Sequence, residues 1–171
     1  MRYLLLLSIF LVSCATSSHH YQPPGDTPDA PSVSNLSHRA GLGDWTRFTL
    51  IYIDNVQVSY RRPWYDPFRD MDTTNITAGR HKLLIKSEFE KKGSDCPCVA
   101  MAELSFDAKE GVAYQLRGEI LDSTEAQEGT ESPVNTVEFW IEEQNSGRPV
   151  TEKTSADAIR VKYSSPITIV Y

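Results

Sequence analysis

The chain has 171 residues, with 17 Lys plus Arg against 23 Asp plus Glu for a net charge of −6, and three cysteines. That length favours one domain with a substantial core. The acidic balance argues against a nucleic-acid role built on phosphate neutralisation, and nothing after residue 13 approaches the run of about 20 apolar residues that spans a bilayer as a helix.

In chain order, Arg2 supplies one positive charge, and Tyr3 to Val12 is apolar except for Ser8. The sequence Leu11-Val12-Ser13-Cys14 follows. So short an apolar core reads as a secretion signal. Its ending resembles the lipobox of bacterial lipoproteins, in which a small residue precedes a cysteine that is diacylated and becomes the new amino terminus. The resemblance implies a signal peptide over residues 1–13 and lipidation of Cys14, with Ser13 as the small residue and Leu11 as the aliphatic one. Residue 15 is Ala rather than Asp, which resembles the class sent on to the outer membrane. The expected location is therefore a lipid anchor in the outer membrane facing the periplasm. More than one acyl chain makes such anchoring stable. Because Arg2 leaves with the signal, the mature chain has a charge of −7.

Residues 14–43 read as the lipidated cysteine and a flexible linker. Pro23, Pro24, Pro28, Pro31 and five serines fall in this stretch, with almost no apolar periodicity. As a free coil, such a tether would have an end-to-end distance of roughly 30 Å.

Residues 44–171 are expected to form one β-domain. Phe48, Leu50 and Tyr52 alternate with Thr49, Ile51 and Ile53, and Asp54-Asn55 offers turn chemistry before Val56 to Tyr60. A short strand closes at Ile76, and an extended run covers His81 to Phe89 with Leu83 and Ile85 on one face. Ala100, Ala102, Leu104 and Phe106 form the expected core face of the next strand. Val112 to Leu121 is rich in β-formers, and Val137, Phe139 and Ile141 lie opposite Thr136, Glu138, Trp140 and Glu142. Ser155 to Val161 is the one segment with a weak helical reading, and Pro166 to Tyr171 reads as a last strand. Several short strands without a long helical pattern predict an all-β, antiparallel β-sandwich.

The run Ile51 to Asn55, then Ile76-Thr-Ala-Gly79-Arg80-His81, then Glu110-Gly111-Val-Ala-Tyr114, resembles the strand and turn order of Ig-like and PEGA-like modules. Such modules occur in envelope lipoproteins of Gram-negative bacteria. The resemblance covers roughly residues 47–121, with Asn55 where the PEGA pattern prefers Gly. It implies a fold and a compartment and carries no catalytic residues across.

Candidate chemistry falls in two places. Cys96-Pro97-Cys98 is the pair left once Cys14 is lipidated. It reads as a small loop staple, with a dithiol/disulfide redox or Cu(I) site as the alternative, since soft metals favour thiolates. Met101 and His81 could complete a metal site only if the fold gathers them. Otherwise Met101 is expected in the core or at an edge, and His81 paired to backbone or solvent. The second place is the segment Tyr60 to Asp70, where Arg61, Arg62, Trp64, Tyr65 and Phe68 combine rigid rings with directed donors. It is the candidate partner-binding surface, with an inward plug as the competing reading. Motifs of hydrolases, zinc proteases and phosphate loops are absent from the sequence. The expectation is a non-enzymatic envelope protein with no cofactor. Its partners would be the membrane, through Cys14, and an envelope protein or glycan, with no nucleic acid.

Overall fold

The computed structural model describes residues 20–22, 24, 29–41, 44–58, 73–90, 98–121 and 135–161. Among the described residues there are eleven strands and no helix. They are β1 (Ser32–Ser34), β2 (Leu36–Gly41), β3 (Asp44–Ile53), β4 (Val56–Gln57), β5 (Thr73–Asn75), β6 (Gly79–Glu90), β7 (Cys98–Ala108), β8 (Ala113–Leu121), β9 (Thr136–Glu143), β10 (Thr154–Asp157) and β11 (Ile159–Arg160). Sheet A has the order β11-β7-β6-β3-β2, with β4 also paired to β3, and sheet B has the order β10-β9-β8-β1-β5. Every pairing between these strands is antiparallel except that of β1 with β8.

The strand pattern follows the period-two burial that the sequence predicts. In β7, Ala100, Ala102, Leu104 and Phe106 are buried while Met101, Glu103 and Ser105 are exposed. In β9, Val137, Phe139 and Ile141 are each fully buried. Side chains of the two sheets interlock across one shared core. Phe48 of β3 meets Phe139 of β9 edge-on with ring centroids 5.8 Å apart, and Phe106 of β7 meets Tyr114 of β8 at 4.9 Å. Edge-to-face rings gain electrostatic complementarity in addition to their buried area.

β3 departs from simple alternation. Its register against β6 slips between Leu50 and Tyr52, so Ile51 is the extra residue of a bulge. The slip reverses which side chain faces inward. Ile53 is fully buried with Phe48 and Leu50, whereas Tyr52 is only half-buried, contrary to the expected alternation. Beyond Ile53 the chain turns through Asp54 (φ 49°) and Asn55 (φ 66°) into β4. Positive φ at both central residues is the conformation that two-residue hairpins require and that Asp and Asn tolerate.

The expected boundaries need two corrections. The stretch assigned to the linker contains β1 and β2. Val33 is fully buried, and the Asn35 side-chain oxygen accepts the Leu50 N–H at 2.9 Å. The partners of Val33 lie on β8 and β5, so no local periodicity marks it. The weak helical reading of Ser155 to Val161 also fails. These residues form β10 and β11, held by cross-strand pairing to β9 and β7. Residues 59–72 and 162–171, including the expected last strand, lie outside the described residues.

Ser87 points into the core opposite Phe48. It is fully buried, and its hydroxyl has no hydrogen-bond partner. A buried, unpaired hydroxyl costs about 1–3 kcal/mol. Ser87→Ala is therefore expected to raise the urea midpoint of unfolding, and a lowered midpoint would show that the hydroxyl is satisfied in solution.

Candidate functional site

Of the sequence-predicted residues, Cys98, Met101 and His81 fall among the described residues. Cys14, Cys96 and the whole segment Arg61, Arg62, Trp64, Tyr65 and Phe68 lie outside the described residues. Cys98 is disulfide-bonded and buried at the start of β7. Met101 is 52% exposed and so lies outside the core, on the part of β7 beyond the two rungs, Cys98 and Val99, that pair with β11. His81 pairs with Phe106 on β7, whereas Cys98 pairs with Phe89 at the other end of the same ladder. Eight residues of strand separate those rungs, about 26 Å, so His81 and Cys98 cannot share a metal ion. Among the described residues no group of three His, Cys, Asp or Glu side chains is placed to hold a metal.

Two clusters are assembled instead. The first joins turns at the lower end of the sandwich, the end that carries Asp54. Buried His81, at the start of β6, donates from Nδ1 to Asp54 Oδ2 at 2.7 Å. Its Nε2 lies 2.8 Å from the Thr77 carbonyl and 3.3 Å from the Thr77 hydroxyl. Carboxylate, imidazole and hydroxyl thus stand in the order of a nucleophilic triad. The nearer contact of Nε2 is the carbonyl, however, which requires that nitrogen to donate, so the ring cannot at the same time accept the Thr77 proton. The cluster acts as a clamp between the β3–β4 turn and the β5–β6 connection.

Asp54 is fixed further by the Lys82 N–H, which donates to Oδ1 at 2.9 Å. Burial alone would raise the Asp54 pKa, but the Lys82 N–H and the His81 ring outweigh it and hold the carboxyl below its usual range. The sign follows from the lowered folded value. The contribution is complete above the unfolded pKa and is lost as pH falls through the folded one. Asp54→Asn keeps a residue suited to positive φ and should flatten the acid limb of a stability-against-pH profile, with little change near neutrality beyond the lost pair. An unchanged acid limb would remove Asp54 from the account.

The second cluster covers the outer face of sheet B. Trp140 on β9 stands directly opposite Arg117 on β8. One carboxylate orients both, since Trp140 Nε1 donates to Glu142 Oε1 at 2.8 Å and Arg117 Nε donates to Glu142 Oε2 at 2.8 Å. The Lys153 ammonium lies 4.7 Å from the Trp140 ring centroid and donates to Glu138 at 2.6 Å and to Glu119 at 3.5 Å. The Glu138 hydrogen bond, with Glu119 adding to it, raises the Lys153 pKa. The result is an aromatic platform whose flanking cations are already oriented. Rings of this kind with an oriented Arg suit recognition, because little side-chain freedom is lost on binding. Sequence alternation places Trp140, Glu138 and Glu142 on one face, but Arg117 and Lys153 reach them from other elements.

A cleft of about 400 Å³ also opens at the lower end, between Phe106, Lys109, Tyr114, Glu143, Arg148 and Val150. Arg148 donates to Glu143 at 2.6 Å and, with Ser146, lowers the Glu143 pKa. Comparison with family models, with curated proteins and with solved structures finds no match to this chain.

Proposed function

We propose that the chain is a lipid-anchored envelope protein of a Gram-negative bacterium. Its Ig-like or PEGA-like sandwich is held at the outer membrane facing the periplasm, and it has a non-catalytic binding or structural role. The observation that carries this reading is the amino-terminal pattern of charge, short apolar core and Leu11-Val12-Ser13-Cys14. The disulfide at Cys98 agrees with an oxidising compartment. It also favours a staple over a thiolate site for Cu(I), which needs free sulfur ligands. Partner contact, with an envelope protein or a glycan, is assigned to the Trp140 platform and to the Arg61 to Phe68 segment.

Cys14→Ser is expected to move the protein from the membrane fraction to the soluble fraction, and mass spectrometry of the unaltered chain should find acyl groups on Cys14. Unaltered fractionation of the variant would overturn the reading. Free thiols titrating in the exported, folded protein would instead favour the redox or metal alternative.

A further inference from the structure

The chain is fastened to one edge of the sandwich well before its first strand. His20 forms a parallel bridge with Gln57, and the Tyr21 N–H donates to the Gln57 carbonyl at 2.7 Å. Tyr21 packs against the core. Gln57 belongs to β4, which pairs with β3, and β6 and β7 follow in order across sheet A. β10 packs against β7 from the other sheet. It thus lies beyond β7, which is itself three strand spacings or about 14 Å from β4, with Cα atoms of β10 within 8 Å of those of β7.

Cys14 precedes His20 by six residues. Whatever path they take, six residues reach at most about 22 Å. We infer, resting on the lipid-anchor reading of Cys14, that the anchored domain is held edge-on. The β4 edge lies within one such reach of the lipid headgroups, and the β10 edge with the neighbouring Trp140 platform is turned away from the membrane. A free coil of the whole linker length would impose no orientation. The near edge presents exposed Asp54, Asn55 and Gln57, polar groups that suit contact with headgroups and not insertion among acyl chains. With a mature charge of −7, surface electrostatics cannot hold this edge to an anionic leaflet, so the short tether must do so.

The test uses the full lipidated chain in vesicles containing a spin-labelled headgroup lipid, which quenches fluorescence only at short range. One dye is attached through Gln57→Cys and another through Ser155→Cys, both at exposed positions. Quenching at position 57 should exceed that at 155 by about threefold, given a separation comparable to the tether's reach. Tyr21→Pro removes the donor to Gln57, and in protein with an unchanged thermal transition it should bring the two signals together. Equal quenching at both positions in vesicle-bound, unaltered protein overturns the orientation while leaving the anchor intact. Vesicle binding that survives Cys14→Ser overturns the anchor reading instead, and the inference falls with it.

Discussion

Replacing Gly118 by alanine is expected to cost about 3 kcal/mol or more, a large part of the 5–15 kcal/mol that separates a typical domain from its unfolded state. Gly118 sits in β8 opposite Phe139, and the Phe48 ring from the other sheet lies directly over it. A Cβ at this position would overlap Cε1 and Cζ of Phe48 and come within 2.8 Å of the Glu138 carbonyl. Phe48 cannot swing away, because it is 3% exposed and its ring is held edge-on to Phe139. The double variant Gly118→Ala, Phe48→Leu should lose less than the sum of its parts, since the shorter side chain vacates the overlap. Recovery should be partial, because the Glu138 carbonyl is backbone and stays where it is. Urea midpoints for the two single variants and the pair decide the matter. A Gly118→Ala protein as stable as the parent would show that the ring does not occupy that space.

The second large effect concerns where the domain begins. A chain starting at Asp44 keeps everything assigned to the folded domain on sequence grounds, yet it is expected not to fold. It lacks β1, the strand that joins β5 to β8 in sheet B. It also lacks Asn35, whose side chain satisfies the Leu50 N–H, and the packing that Val33 and Leu36 give to the core. At about 2 kcal/mol for each buried aliphatic side chain, and a similar penalty for an orphaned buried N–H, the loss is of order 5 kcal/mol and rivals the total stability. A chain starting at Ala15 should retain a cooperative thermal transition. Equal melting of the two would return β1 and β2 to the status of linker.

These two cases also show what the sequence could and could not reveal. Long strands with one buried face were legible. Ala100, Ala102, Leu104 and Phe106, and likewise Val137, Phe139 and Ile141, sort to the core by alternation alone. Strands that depend on partners were not, because β1 is three residues long and its stability comes from β5 and β8. The Ile51 bulge escaped for a related reason. Alternation assumes one residue per rung, and only the pairing with β6 reveals the extra one. The clusters followed the same division. Trp140 and Glu142 share a strand face and could be placed together, whereas the clamp joins Asp54 to His81 across 27 positions of chain. The hydrogen bonds that lower the Asp54 pKa are tertiary, and no spacing in the sequence announces them.

The parallel pairing of β1 with β8 bears on the order in which the molecule assembles. Val33 meets Tyr114 across 81 positions of chain, whereas β6 and β7 are joined by residues 91–97. Closing the longer loop costs about 2 kcal/mol more in chain entropy, and contacts of such separation form slowly. The β6–β7 hairpin and its pairing with β3 can form while the amino-terminal segment is still free. Pairing of β1 with β8 must wait until β8 is in place, whereas β5, its other neighbour, comes earlier in the chain. The first strand to be synthesised is therefore among the last to gain both of its neighbours.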